Sequence, residues 1–190
     1  MSQLLPTLQF KDISFFNKNV PIWLEIGFGG GEHLAQMAQE NPNVQFIGCE
    51  VFQNGVASLL QHLSDENLKN VTVYSEDVRP FIQNLPNHCL SIIFIMFPDP
   101  WPKKKHLRRR LVNVDLITEL LRVLTLDSGF RFASDHYDYV QDVETLLKDT
   151  QAFKSISVHT EKPLNWPYTI YNQKAIQKGT PSWYLEAWRG

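Results

Sequence analysis

Short apolar segments alternate with amphipathic segments between residues 22 and 147, and this alternation restricts the fold more than any other feature. The apolar segments are rich in β-branched and aromatic residues and are bounded by polar turns, which is typical of buried strands. They comprise residues 22–26, 45–50, 71–74, 92–97 and 130–133. Successive strand and helix units predict an α/β fold with a doubly wound, mostly parallel sheet, in which 92–97 is a central strand.

The segments between these strands carry apolar residues at helical spacing. Before the fifth strand, the predicted helical stripe consists of Leu116, Ile117, Leu120, Leu121 and Leu124. The turn residues 127–129 are predicted to end that helix. After residue 152 the alternation stops, and two further strands are predicted at 153–158 and 183–188. They would add an antiparallel last strand to the sheet.

The composition fits one globular domain. The chain has 190 residues, of which 43% are hydrophobic, enough for a full core, so a single domain is expected over 1–190, with no structure assigned to 1–21. No apolar run is long enough to span a membrane and no leader is evident, which predicts a cytoplasmic protein. The histidines lack the spacing of a catalytic metal site, and no metal is expected.

Acidic side chains recur at the ends of the predicted strands. Glu25 lies inside the first strand, and Glu50, Asp77, Asp99 and Asp135 lie at or just past the carboxyl ends of the next four. In open α/β sheets, ligands bind beyond the carboxyl ends of the strands. We therefore expect these carboxylates to line one ligand-binding edge.

A glycine turn, residues 27–31, connects the first strand to the first helix. Such a turn lets backbone approach a ligand closely, but its G-x-G-x-G spacing alone is a weak signal. Glu50 could accept hydrogen bonds from both hydroxyls of an adenosine ribose, in either NAD or S-adenosylmethionine. The other acids favour S-adenosylmethionine, because they would repel the pyrophosphate of NAD. Asp77 could then accept from the adenine amino group, and Glu25 could face the methionine portion.

A stiff proline-rich segment and a run of cations follow the central strand. Pro98, Pro100 and Pro102 alternate with Asp99 and Trp101, which excludes regular structure there. Residues 103–110 then contain six cations. The remainder of the chain holds 12 of the 18 basic side chains against 20 acidic ones. The positive charge is therefore local, which indicates a directed anionic partner such as RNA.

Several of these motifs together resemble the bacterial tRNA (guanine-N7-)-methyltransferase family. They are Leu24-Glu25-Ile26-Gly27-Phe28-Gly29, Gly48-Cys49-Glu50, Glu76-Asp77, Phe97-Pro98-Asp99-Pro100-Trp101-Pro102-Lys103-Lys104, Ala133-Ser134-Asp135 and Thr169-Ile170-Tyr171. The resemblance runs from about residue 22 to the end of the chain. It implies a Rossmann-like class I methyltransferase fold and transfer of a methyl group from S-adenosyl-L-methionine to N7 of a tRNA guanosine, guanosine 46 of the variable loop.

The resemblance also implies roles for individual residues. By matching position, Glu25, Glu50, Asp77 and Asp99 are expected at the cofactor, where the glycine turn adds Gly27 and Gly29. Asp99 is also expected to be the catalytic residue. The expected substrate-binding residues are Lys103, Asp135, Thr169, Ile170, Tyr171 and Asn172. The expected RNA-contacting residues are Lys105, His106, Leu107, Arg108, Arg109 and Arg110.

Two other functions remain open from the sequence. The family has glutamate where this chain has Asn172, which makes a noncatalytic tRNA-binding module conceivable. The Asp-Pro-x-Pro segment at Asp99 loosely resembles the motif of enzymes that methylate exocyclic amines, although Trp101 separates its two prolines. The sequence offers no hydride-transfer partner of the kind that an NAD-linked oxidoreductase would need. The chain is expected to act as a monomer or a homodimer.

Overall fold

The computed structural model describes residues 20–163, 166 and 179–190. Its strands and helices alternate in the predicted order. The first four strands are β1 (Ile22–Ile26), β2 (Gln45–Cys49), β3 (Val71–Tyr74) and β4 (Leu90–Met96), separated by helices α1 (Glu32–Glu40), α2 (Gln53–Asp65) and α3 (Val78–Asn84). After β4 come a 3-10 helix (Lys104–Arg109), α4 (Val114–Val123), β5 (Leu124–Ser134), α5 (Tyr137–Asp149), β6 (Phe153–His159) and β7 (Trp183–Arg189).

The seven strands form one sheet in the order β3-β2-β1-β4-β5-β7-β6. The first five pair in parallel, and β7 runs antiparallel to both β5 and β6. The predicted mostly parallel sheet with an antiparallel last strand is therefore confirmed. β4 lies at its centre, between β1 and β5, because its apolar run can be buried on both faces.

Two hydrophobic clusters cover the two faces of the sheet. Alternate residues of β1 point to opposite faces, so Leu24 belongs to the cluster under α3, α4 and α5, while Trp23 packs on the cluster under α1 and α2. Burial of each leucine or phenylalanine side chain in these layers stabilises the folded state by about 1.5–3 kcal/mol. The two layers hold the strands rigidly, which fixes where their carboxyl ends lie.

The predicted boundary between α4 and β5 was wrong. Leu124 is the first residue of β5 and pairs with Leu90 of β4, whereas Gly129 pairs with Ile92. The register of the two strands shifts between these positions, and within the shift Asp127 adopts a left-handed conformation with φ 56°. The turn signal of residues 127–129 therefore marks an irregularity inside a strand, since bulges use the same residue types as turns.

Among the described helices, none is both long enough and apolar enough to cross a membrane.

Candidate active site at the carboxyl edge of the sheet

The parallel strands deliver the predicted site residues to one edge. The glycine turn follows β1, Glu50 follows β2, Asp77 lies three residues beyond β3, Asp99 lies three residues beyond β4 and Asp135 follows β5. Because β3, β2, β1, β4 and β5 are neighbours in this order, these residues lie along one rim. The rim is the crevice position expected for a ligand in a doubly wound sheet.

Backbone conformation explains the glycines of the turn. Gly27 has φ 73° and Gly29 has φ 58°, values that residues with a side chain rarely adopt. The Gly27 N–H donates to the carbonyl of Cys49 over 2.7 Å, which ties the turn to the end of β2. A Cβ at Gly27 would meet no atom of the described part of the chain within 4 Å, so this part leaves the space beside the turn open.

Glu50 is held firmly by backbone amides. Its Oε1 accepts from the N–H groups of Val51 at 2.7 Å and Phe52 at 2.9 Å, and its Oε2 accepts from the N–H of Gly29 at 3.0 Å. The side chain is buried at 8% exposure, so its orientation is fixed. Oε2 accepts only one of these bonds and retains room for a ligand hydroxyl.

Asp77 caps helix α3. Its Oδ1 accepts from the backbone N–H of Arg79 at 3.0 Å. The Arg79 guanidinium also donates from Nε to Oδ1 at 2.9 Å and from Nη2 to Oδ2 at 2.5 Å. These side-chain hydrogen bonds are the main reason that the pKa of Asp77 is lowered from its ordinary value.

One cavity of about 730 Å³ joins the rim to the basic segment. Gly27, Glu50 and Asp77 line it together with Arg108 and Arg109 of the basic segment. The volume lies within the range of ~300–1,000 Å³ typical of cofactor pockets. Asp99, Asp135, Lys103 and Glu25 do not line this cavity, although the first two lie on the same rim.

Glu25 is buried behind the glycine turn. It is 2% exposed and points to the sheet face covered by α1, where its Oε2 lies 2.7 Å from Nδ1 of His33. His33 is also 2% exposed, and its Nε2 has no hydrogen-bond partner among the described residues. The pairing offsets the cost of burying the Glu25 carboxylate.

Asp99 sits in a strained loop. Phe97 and Trp101 on either side of it have φ of 51° and 42°, an uncommon conformation for aromatic residues. The Phe97 N–H donates to the carbonyl of Ala133 at 2.8 Å, which fixes the start of the loop to β5. The Asp99 side chain is exposed and has no ion pair or hydrogen bond within the described part of the chain. Its carboxylate is therefore presented to solvent by a stiff backbone.

The cations form an exposed strip on the 3-10 helix. Lys103, Lys104, Lys105, Arg108 and Arg109 are all exposed, His106 is half-buried and Leu107 is 38% exposed. The guanidinium of Arg109 lies over the indole of Trp101, 4.8 Å from the ring centroid, and His106 meets the same indole edge-on. Trp101 thus holds two members of this basic strip in place.

Arg110 departs from the predicted strip. Its side chain is 5% exposed, forms an ion pair with Asp142 and donates from Nε to the carbonyl of Pro100 at 2.9 Å. Its guanidinium also lies over the ring of Tyr139 at 4.5 Å. Arg110 therefore ties the proline-rich loop to helix α5, and its charge is not presented to a partner.

We expect Arg110→Met to lower the free energy of unfolding by about 2–3 kcal/mol, because a charge-assisted hydrogen bond is lost and the Pro100 carbonyl is left without its donor. Urea denaturation followed by circular dichroism measures the change. Arg108→Met, which removes an exposed neighbour, should stay within about 0.5 kcal/mol. Equal effects of the two substitutions would contradict the structural role of Arg110.

The remaining predicted substrate residues lie in two places. Lys103 is exposed at the start of the 3-10 helix, and Asp135 is half-buried between β5 and α5. Thr169, Ile170, Tyr171 and Asn172 lie outside the residues that the structure describes.

Two partners of predicted residues were not anticipated from the sequence. Arg79 follows Asp77 by two residues, a spacing that allows a side chain to reach back to a capping carboxylate, so the sequence did contain a signal for it. His33 carries no such signal, because its contact with Glu25 depends on how α1 packs on β1.

Comparison with known proteins shows similarity to methyltransferases over most of the chain. Residues 19–185 match a protein family described as "Putative methyltransferase". A tRNA (guanine-N(7)-)-methyltransferase from Paramagnetospirillum magneticum is 45% identical over 168 residues, covering 86% of this chain and 71% of that protein. The protein of the same name from Granulibacter bethesdensis is 40% identical over 193 residues, covering 97% and 84%.

Solved structures agree on the fold. A 16S rRNA methyltransferase, KamB, superimposes with a TM-score of 0.67 at 13% identity, over 96% of this chain and 95% of that chain. This likeness supports a class I methyltransferase fold, and the much higher identity to the two bacterial relatives defines the family. The chain belongs to the tRNA (guanine-N(7)-)-methyltransferase family.

Proposed function

We propose that this protein transfers a methyl group from S-adenosyl-L-methionine to N7 of a guanosine in tRNA, and that the target is guanosine 46 of the variable loop. Relatives that carry the enzyme's name are 40–45% identical over most of the chain. The observation that supports the proposal best is the cavity, which joins Gly27, Glu50 and Asp77 to the basic strip. A cationic donor and an anionic substrate would thus meet at one rim.

Three residues that line the cavity fit the cofactor. Oε2 of Glu50 is oriented to accept a hydrogen bond from a ribose hydroxyl, and the open space at Gly27 leaves room for the cofactor beside the backbone. Asp77 lines the same cavity, where it can accept from an adenine amino group. Carboxylates at this edge also favour a ligand with net positive charge.

Asp99 is proposed as the catalytic residue. When bound, S-adenosylmethionine supplies an electrophilic methyl group whose bond to sulfur breaks as N7 forms the new bond. Guanine N7 has a free lone pair, so the protein need not remove a proton. Alignment of the reactants is the main requirement and can contribute about 7–11 kcal/mol. The Asp99 carboxylate, fixed by its stiff loop, would stabilise the positive charge that develops on the guanine.

The exposed cations are proposed to hold the tRNA backbone. Lys104, Lys105, Arg108 and Arg109 lie on the 3-10 helix, with Lys103 just before it, and Arg108 and Arg109 also line the cavity. Phosphate contacts of this kind position an RNA and carry little sequence information. The half-buried His106 and the exposed Leu107 would add close contacts at the same surface, and Asp135 and residues 169–172 are proposed to contact the target nucleotide.

Neutralising Arg108 and Arg109 together should weaken tRNA binding and flatten its salt dependence. Each lost phosphate contact lowers the slope of log K against log salt by about 1, so a reduction of about 2 is expected. Filter binding at several salt concentrations measures the slope. The double variant Lys148→Ala and Lys154→Ala, which removes the same charge far from the strip, should leave the slope unchanged. The proposal fails if both double variants behave alike.

Mapping the modified position tests the choice of nucleotide. Unmodified tRNA is incubated with the protein and S-adenosylmethionine, and the chain is then cleaved chemically at 7-methylguanosine. Cleavage at guanosine 46 is expected, and loss of cleavage in tRNA with adenosine at position 46 should follow. Cleavage at a different guanosine would overturn the positional assignment.

A further inference from the structure

Besides Arg108, Arg109 and the ion-paired Arg110, the proposed cofactor cavity is lined by Arg79, which neither the sequence nor the family resemblance assigned. We propose that Arg79 is an RNA-phosphate-binding residue which, in the absence of RNA, occupies the carboxylate that the cofactor needs. Binding of tRNA would draw Arg79 away from Asp77 and thereby favour cofactor binding. This inference rests on the proposed function.

The contact between Arg79 and Asp77 uses both carboxylate oxygens. Nε of Arg79 lies 2.9 Å from Oδ1, and Nη2 lies 2.5 Å from Oδ2. The backbone N–H of Arg79 takes a further site on Oδ1. Nε also lies 3.1 Å from Oδ2, so each oxygen of Asp77 accepts two hydrogen bonds, which leaves little capacity for an adenine amino group. Arg79 and the adenine edge would therefore compete for Asp77.

The competing side-chain contact is weak enough to exchange. The side chain of Arg79 is 71% exposed and that of Asp77 is 46% exposed, so water screens their attraction. The backbone hydrogen bond that caps α3 does not depend on the guanidinium. The side chain can leave without opening the helix.

The lining of the cavity points to a second binding partner for Arg79. Arg79 lines the same cavity as Arg108 and Arg109. Glu119, which also lines the cavity, is already paired with Arg122 over 2.8 Å. Arg79, Arg108 and Arg109 thus concentrate positive charge at one cavity, and an RNA phosphate there would offset their mutual repulsion while accepting bidentate hydrogen bonds. The chemistry therefore favours a phosphate of the bound tRNA as the alternative partner.

The two binding events are then coupled. When a tRNA phosphate binds Arg79, the Asp77 carboxylate becomes available to the cofactor. When the cofactor binds Asp77, the Arg79 guanidinium becomes available to a phosphate. Thermodynamic linkage requires the two effects to be equal in size. An exposed ion pair of this kind changes an equilibrium constant by about two- to fivefold, which sets the expected coupling.

Calorimetric titration with S-adenosylhomocysteine, which retains the adenosine but cannot react, tests the proposal. Without RNA, Arg79→Ala should bind this probe about two- to fivefold more tightly than the unchanged protein. With saturating tRNA, the unchanged protein should gain a similar factor, and Arg79→Ala should gain less than half of it. Arg79→Ala should also bind tRNA more weakly. Lys148→Ala, which breaks the exposed pair with Glu144 on α5, is the matched control and should show none of these changes.

Two failures are distinguishable. If the unchanged protein binds the probe and tRNA and forms 7-methylguanosine, but Arg79→Ala shows unchanged or weaker probe binding, the coupling role of Arg79 is wrong and the proposed function stands. Undiminished coupling in Arg79→Ala has the same meaning. If the unchanged protein binds neither the probe nor tRNA, the proposed function and this inference both fall.

Discussion

Asp99→Ala is expected to lower the rate of methyl transfer at saturating substrates by about 10²–10³-fold, the usual effect of removing one group that stabilises transition-state charge. The side chain is exposed and unpaired within the described chain, so its removal should not disturb the fold. Single-turnover transfer of a labelled methyl group to tRNA measures the rate.

Asp149→Ala is the matched control for that substitution. Asp149 is an exposed carboxylate at the far end of α5, away from the carboxyl edge of the sheet. Its replacement should change the rate by less than twofold. If Asp99→Ala retained near-normal turnover while folded, Asp99 could not be the catalytic residue.

Glu50→Gln is expected to weaken S-adenosylmethionine binding by about 10- to 150-fold, the loss of one hydrogen bond to a charged acceptor. Three backbone amides already donate to the two oxygens of Glu50. An amide side chain would turn a donor toward one of these amides or toward the ligand hydroxyl, so at least one contact is lost. Equilibrium titration measures the affinity.

Glu32→Gln provides the comparison for Glu50. Glu32 also adjoins the glycine turn, at the start of α1, but it does not line the cavity. Its replacement should leave cofactor affinity within twofold of the unchanged protein. Equal losses from the two substitutions would indicate a general charge effect, and the specific role of Glu50 would be rejected.

The sequence predicted the sheet because a buried strand appears in it as a short run of apolar residues. An apolar run such as β4 has few alternatives to a central strand, and alternation with helices implies parallel pairing. The order of the strands was not predicted, because β1 pairs with β4 and β5 pairs with β7 through contacts between residues distant in sequence. The predicted boundary at Leu124 was wrong because a single leucine fits the apolar face of a helix and a buried strand equally well.

The site was predictable to the level of the rim. Acids that follow parallel strands must lie at one edge, and Glu50 and Asp77 do share a cavity there. Side-chain partners were harder to predict, since composition gives Arg110 the same character as Arg108. Arg110 stands two residues before Val112, which is buried in the core, and Arg110 itself is buried as well. Only packing shows that difference.

The central claim is that the acidic rim and the basic strip together methylate guanine N7 in tRNA. The most direct measurement is incubation of the purified protein with labelled S-adenosylmethionine and unmodified tRNA, followed by digestion and separation of the nucleosides. We expect all of the label in 7-methylguanosine. Label in N6-methyladenosine, or no transfer by a protein that binds both ligands, would contradict the claim.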